Sequence, residues 1–262
     1  MNTLNILQET TLTRVANNSF AAPAPKDIVL QQPLLILILS QLGDFDSLEY
    51  AWWLKKDQSL IADLNVVAVG IGDRQSGQKF CDYTGFDPEK LFIDPTAELH
   101  QKLGLYSGLQ WQFPGLKAGQ QAWVNLMLMC AGIASPGTLK EVFRGYIGDK
   151  TAPQLFGDEE IVNAPPLPEL KGKFFESAGG KGYQRPLELA TLRLRNMGEV
   201  LGNWSTYVPD ASYMTQRGGT FLFDVDGELL YEHRDRNILG FAENMSRPLS
   251  FLEKIKFKSA SA

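Results

Sequence analysis

Cysteine and histidine are scarce in this chain. Its 262 residues include two cysteines, Cys81 and Cys130, and two histidines, His100 and His233. Two cysteines imply no disulfide framework, which favours a reducing compartment, and we therefore predict a cytoplasmic location. No Cys-x-x-Cys or His-x-x-x-His spacing is present, so the sequence predicts no metal site, and we expect no cofactor.

Clusters of positive charge and long apolar runs are also missing. The net charge is −5, from 25 basic and 30 acidic residues, which argues against nucleic acid as a partner because phosphate binding requires clustered Lys and Arg. The apolar segment 34–39 is far shorter than the ~20 residues that span a bilayer, so no transmembrane segment is predicted. The first thirty residues lack the basic and apolar regions of a secretory signal.

The most informative segment of the chain is 34–49. It reads as an apolar strand, a tight turn at Gly43 and a helix that begins near Asp46, with an Asp-x-x-Glu capping box from Asp46 to Glu49. The N–H groups and the positive dipole end of such a helix stabilise an anion, so thiol and phosphate chemistry is common at this kind of turn. A redox protein would carry a cysteine here, whereas this chain carries Asp44 and Ser47.

Strands and helices alternate through the first half of the chain, which is typical of a parallel α/β sheet. The pattern predicts strands at 34–39, 66–71 and 91–93, and helices at 47–63 and 75–83. It also predicts a helix capped by Asp94, with Pro95 at its first position and Gly104 past its end. Near the C-terminus, Asp226-Gly227 between segments 220–225 and 228–233 predicts a β-hairpin, followed by a closing helix at 248–257.

Several segments, in order along the chain, are similar to one known family. They are Ser40-Gln41-Leu42-Gly43-Asp44-Phe45-Asp46-Ser47-Leu48-Glu49, and the segments 67–72, 92–95, 103–105, 217–224 and 227–234. Together they resemble the peroxiredoxin-like proteins of the AhpC/TSA type, whose active-site turn reads roughly Arg-His-Phe-Gly-Cys-x-x-Cys-x-Glu. The resemblance implies a thioredoxin-like α/β fold, with a central mixed sheet flanked by helices, and an antioxidant peroxidase or thiol oxidoreductase activity. It places the family's two cysteines at Asp44 and Ser47.

The predicted organisation is an N-terminal extended arm, 1–27, and a single thioredoxin-like domain, 28–262. The domain contains a long, largely helical insertion at about 106–213, before the C-terminal hairpin, which a minimal thioredoxin fold does not need. Within it we predict helices at 118–133 and 187–201 and an irregular loop at 152–182. The helix at 118–133 is apolar nearly all the way round, so it roofs the protein's own sheet, is buried in a partner or lies at a membrane surface.

The candidate binding residues are Gly43, Asp44, Asp46, Ser47, Trp111 and Trp123. For Asp44 and Asp46 two interpretations stay open. Asp46 caps the helix while Asp44 fills a surface turn, or the two carboxylates act as acid and base or hold a metal, with Glu49 as a third ligand. Neither Cys81 nor Cys130 lies at a predicted helix N-terminus, so both are predicted to be inert, buried thiols.

Peroxidase chemistry requires a thiolate that is oxidised to a sulfenic acid, which a carboxylate cannot replace. We therefore favour a non-catalytic binding or scaffold module, not an enzyme, whose partner is a protein or a small apolar ligand. Peripheral contact with a membrane stays open. The alternative is a thiol-dependent antioxidant or oxidoreductase that uses Cys81 or Cys130.

Overall fold

A six-stranded mixed sheet forms the centre of the protein. The structure is a computed structural model that describes residues 3–16 and 32–255. The strands, in chain order, are β1 (Thr13–Arg14), β2 (Leu34–Gln41), β3 (Asn65–Ile71), β4 (Leu91–Ile93), β5 (Ile161–Val162), β6 (Leu170–Lys171), β7 (Gly219–Phe223) and β8 (Leu229–Arg234). The central sheet has the order β1-β4-β3-β2-β7-β8, and β5 and β6 form a separate small ribbon.

The helices cover both faces of this sheet, and five of them lie in the insertion. They are α1 (Thr3–Glu9), α2 (Phe45–Lys56), α3 (Arg74–Thr84), α4 (Glu98–Lys102), α5 (Ala118–Cys130), α6 (Thr138–Ile147), α7 (Glu176–Gly179), α8 (Glu188–Gly202) and α9 (Trp204–Tyr207). Short 3-10 turns lie at Gln58–Ile61, Pro88–Lys90, Gly172–Phe175, Ala211–Tyr213 and Leu252–Lys254. Within the described part of the chain, no helix has the length and apolarity needed to cross a bilayer.

Strand β2 is buried on both faces, and its residues 34–39 are all apolar. It pairs parallel with β3 and antiparallel with β7, so that Leu37 lies beside Ala68 on one side and Thr220 on the other. Side chains alternate across a strand, and accordingly Leu35 and Leu37 pack in one core while Ile36 joins the core on the opposite face. The predicted α/β architecture, with its mixed sheet flanked by helices, is confirmed.

The C-terminal hairpin forms where the Asp-Gly signal predicts it. The Asp224 carboxylate accepts hydrogen bonds from the backbone N–H groups of Asp226 and Glu228, both at 2.9 Å. Gly227 has φ +81°, a left-handed conformation that glycine adopts without steric cost. The turn therefore joins β7 to β8, which forms the outer strand of the described sheet.

Two local predictions are wrong in detail. The helix after Asp94 begins only at Glu98, because Ala97 has φ +54° and the Asp94 carboxylate reaches forward to the N–H groups of Glu98 and Leu99. Instead of the closing helix at 248–257 the chain makes turns and one 3-10 segment, with Phe251 stacked on Tyr231 at 4.0 Å. Tertiary packing here outweighs helix propensity. Residues 256–257 lie outside the described ones.

The N-terminal segment is not extended throughout. Residues 3–9 form α1, whose Leu4 and Leu7 are buried in the second core, and β1 pairs antiparallel with β4. Burial of these two leucines explains why a short, mostly polar segment becomes helical. The rest of the predicted arm, 17–27, lies outside the described residues, and the boundary between arm and domain stays a prediction.

Candidate functional site

The turn between β2 and α2 places Asp44 at the helix N-terminus. Asp44 is the N-cap, and its carboxylate accepts a hydrogen bond from the backbone N–H of Asp46 at 3.0 Å. Gly43 is required beside it, because a Cβ at this position would come within 2.8 Å of the Tyr207 Cβ. The predicted capping box from Asp46 to Glu49 is therefore wrong: α2 begins earlier than predicted, and Asp46 lies inside its first turn.

Arg217 brings the two aspartates of the turn together. Its Nη2 donates to Asp44 at 2.6 Å and its Nη1 to Asp46 at 3.5 Å. The guanidinium is buried and also donates to the backbone carbonyls of Met214 and Thr215. The two carboxylates therefore do lie together. Because a buried cation binds both of them, they form neither a surface turn nor a metal site.

Asp46 is held from a second direction by the segment after β8. Both of its carboxylate oxygens accept the Leu239 backbone N–H at 2.9 Å. Burial, reinforced by the charge of Asp44, raises the pKa of Asp46 well above its ordinary value. Asp235, a residue that the sequence pattern does not single out, lies close enough to influence both Asp46 and Arg217.

Glu49 and Ser47 serve the packing of the turn. The Glu49 carboxylate binds Arg193 of α8 at 2.7 and 3.1 Å, so it is not a ligand beside Asp46. The Ser47 hydroxyl is buried and donates to the Gln41 carbonyl at 3.0 Å. In the described parts of the chain, no three or more His, Cys, Asp or Glu side chains are grouped so as to hold a metal ion.

Two cavities with predominantly apolar linings lie beside the turn, between α2 and the helices of the insertion. The smaller, about 200 Å³, is lined by Gly43 and Asp44 of the turn. The larger has a volume of about 650 Å³ and extends along α6 and α8. Phe45 and Met197 line both, so the cavities adjoin through these two side chains.

The two tryptophans predicted for binding lie in different places. Trp123 lines the smaller cavity, where its ring stacks on Trp204 at 5.2 Å. Trp111 is exposed and lines neither of the two cavities, and the Asn125 side chain holds its backbone through two hydrogen bonds. Helix α5 buries its Asn125 face and leaves Trp123 exposed, so it does not simply roof the sheet.

Neither cysteine is activated by its surroundings. Cys130 is half-buried in the smaller cavity, and burial, followed by the charge of Asp44, raises the pKa of its thiol to about 11. Cys81 is buried on α3, where burial raises its thiol pKa to about 12. A raised pKa keeps a thiol protonated and poorly nucleophilic.

The comparison with protein families identifies the chain. Residues 53–237 match the family model described as AhpC/TSA antioxidant enzyme. The chain belongs to this AhpC/TSA family. The family resemblance and the thioredoxin-like fold are thereby confirmed, and the match includes the whole insertion, 106–213. No curated protein and no solved structure gives a significant match.

The family match begins downstream of the turn. Asp44 and Ser47 lie before residue 53, where the match starts, so their assignment to the family's cysteine positions stays a prediction. Sequence reasoning missed Asp235 and the role of Arg217. The signal for Arg217 was its place immediately before Gly218-Gly219 in a matching segment, whereas no sequence signal pointed to Asp235.

Proposed function

We propose that this AhpC/TSA protein is a non-catalytic binding module that holds a small apolar molecule beside the Asp44 turn. The observation that carries the proposal is the pair of adjoining cavities, about 650 and 200 Å³. The larger cavity has the size of a ligand pocket, and such pockets are mostly apolar and largely pre-formed. The stacked rings of Trp123 and Trp204 supply a flat apolar wall for such a molecule.

The charges of the cavity walls favour an uncharged ligand. In the described structure one charged side chain lines each cavity, Asp44 in the smaller and Arg193 in the larger. Asp44 is neutralised by Arg217, and Arg193 by Glu49. A charged group buried in either cavity would lack a free counter-ion, and burial of an unpaired charge is costly.

The chemistry available at the turn supports a role without catalysis. Asp44 cannot pass through a sulfenic acid as a thiolate does. Burial raises the pKa of the Cys130 thiol to about 11, so this thiol is protonated at pH 7. The two free cysteines, Cys81 and Cys130, suit the cytoplasmic location that we propose.

Titration with N-phenyl-1-naphthylamine, an uncharged fluorescent probe, tests this function. We expect saturable binding to the full chain, together with quenching of tryptophan fluorescence. Met197→Glu introduces a charge into the wall that both cavities share, and it should weaken binding about tenfold or more. Gly202→Glu adds the same charge to the same helix, at a position with open space around it and outside both cavities.

The comparison of these two variants tests whether the cavities are the binding site. Binding that survives in Gly202→Glu and is lost in a folded Met197→Glu variant supports the cavities as the site. Equal binding to both variants, or no saturable binding to the unmodified chain, would contradict the proposal. Circular dichroism and thermal unfolding establish that each variant is folded.

A thiol-dependent oxidoreductase is the second candidate function. One observation favours it: Cys130 lines the same cavity as Asp44. Cys81 lies on α3 and lines neither cavity, so Cys130 is the better candidate nucleophile. Its raised thiol pKa opposes this function, and peroxide turnover by the unmodified chain is the direct test.

A further inference from the structure

Helix α6 presents an apolar stripe to the solvent. Leu139, Phe143, Tyr146 and Ile147 follow the spacing i, i+4, i+7, i+8, which lies on one face of a helix. These side chains are between 47% and 72% exposed. The opposite face is anchored in the protein through buried Glu141 and Arg144, so the stripe is an outward surface of a firmly held helix.

This stripe reaches the mouth of the larger cavity. Tyr146 belongs to the stripe and also lines the cavity, as do the exposed side chains of Phe174 and Leu187. The Leu187 backbone N–H donates to the Tyr146 carbonyl at 3.1 Å, which fixes the two positions together. We call Leu139, Phe143, Tyr146, Ile147, Phe174 and Leu187 the mouth patch.

Free positive charge accompanies the mouth patch. Lys140 follows Leu139, Lys173 precedes Phe174, and Lys150 comes three residues after Ile147. All three lysines are exposed, and none of them has an ion-pair partner among the described residues. Glu169, which is nearby in sequence, is an exposed carboxylate. The carboxylates of Glu141 and Asp149 are bound to Arg144. Glu176 and Glu188, also beside patch residues in sequence, are paired with Lys181 and Arg185. Three lysines and one glutamate near the patch in sequence are therefore unpaired among the described residues.

We infer that the mouth patch docks on the anionic surface of a lipid bilayer, so that the apolar ligand enters the larger cavity directly from the membrane. Exposed apolar side chains flanked by lysines are the combination that lies in the headgroup region, where the apolar groups are buried and the lysines meet lipid phosphate or carboxylate. The entry route rests on the proposed function: a sparingly soluble ligand would otherwise cross water on its way to the cavity.

Co-sedimentation with lipid vesicles tests the docking. The full chain is mixed with vesicles of equal parts phosphatidylcholine and phosphatidylserine, and with vesicles of phosphatidylcholine alone. We expect binding to the mixed vesicles that is stronger than to the neutral ones and weakens with added salt. The double variant Phe143→Ser/Ile147→Ser should lose about tenfold or more of this binding.

The design separates docking from ligand binding. Phe143 and Ile147 do not line either cavity, so their replacement should leave N-phenyl-1-naphthylamine binding unchanged. The matched control is Leu60→Ser/Leu229→Ser, which removes two exposed leucines far from α6 in sequence. It should retain vesicle binding.

The remaining outcomes test the membrane docking and the ligand binding separately. Probe binding without vesicle binding would overturn the docking and leave the proposed function standing. Vesicle binding without probe binding would support the docking and remove the proposed function. Equal loss of vesicle binding in the control variant would overturn the docking. A dimer in solution that Phe143→Ser/Ile147→Ser converts to monomers would also overturn it, because a second copy of the chain would then cover the patch.

Discussion

The carboxylate of Asp44 accepts a 2.6 Å hydrogen bond from the guanidinium of Arg217, a residue 173 positions later in the chain. This bond joins the turn after β2 to the segment that leads into β7. The position that the family resemblance assigns to a reactive thiol therefore carries a fixed negative charge, already neutralised by a buried cation. The following expectations start from this arrangement.

We expect the purified protein not to turn over hydrogen peroxide or organic hydroperoxides with thioredoxin or glutathione as reductant. The reason is the carboxylate at Asp44 together with the raised pKa of the Cys130 thiol. The measurement is a coupled peroxidase assay on the unmodified chain and on Cys81→Ser and Cys130→Ser. Turnover that disappears in one of these variants would restore the enzymatic alternative.

Replacement of Arg217 by methionine should destabilise the fold by about 3–5 kcal/mol, because it leaves buried carboxylates without a counter-charge. Asp44→Asn should cost less, since asparagine is also a favoured N-cap. Urea unfolding measures both free energies. If Arg217→Met were as stable as the unmodified protein, the ion cluster would contribute nothing to the stability of the fold.

The stability of the protein should depend on the titration of Asp235. Burial raises the pKa of this carboxyl from 3.8 to about 7. Between these pH values the folded chain keeps a proton that the unfolded chain has lost, so this group's contribution to stability is complete below pH 3.8 and is lost as the pH rises toward 7.

Asp235→Asn isolates that contribution. Unfolding free energies of the variant and the unmodified protein, measured from pH 4 to 8, should differ in slope below pH 7, with the flatter profile in the variant. Two parallel profiles would show that the carboxyl does not titrate in this range.

The Glu49–Arg193 ion pair should show strong coupling between α2 and α8. Arg193→Met leaves the fully buried Glu49 carboxylate unpaired and should cost about 3–5 kcal/mol. Glu49→Leu/Arg193→Met removes both charges and should recover much of that loss. A double-mutant cycle from thermal or urea unfolding gives the coupling energy, and additive effects would argue against a structural role for the pair.

The sequence was sufficient for the elements whose signals are local. Residues 34–39 of strand β2 are an unbroken apolar run, and the Asp226-Gly227 turn defines the hairpin, so both were predictable from a few consecutive residues. The start of α2 was not, because Asp44 and Asp46 are equally good caps by residue type. Their roles are distinguished by the Leu239 backbone N–H, which lies 193 positions from Asp46 and binds both oxygens of its carboxylate.

The cavities could not be predicted from the sequence, for a related reason. Phe45 follows the turn, whereas Met197 comes from the far end of the insertion, and no periodicity links them. Helix α6 was not predicted although its apolar stripe is present in the sequence. The stripe faces outward, so a rule that assigns apolar faces to the core would have misplaced it.

The insertion begins and ends at one place in the structure. The Arg217 backbone N–H donates to the Tyr106 carbonyl at 2.8 Å, and the Thr215 hydroxyl donates to the Ser107 carbonyl at 2.9 Å. The entropy of closing a loop grows only slowly with its length. An excursion of about a hundred residues clamped at its base can therefore gain, lose or exchange helices while the strand pairing of β2 with β7 is preserved. The clamp thus separates the walls of the cavities, which the insertion supplies, from the register of the sheet beneath them.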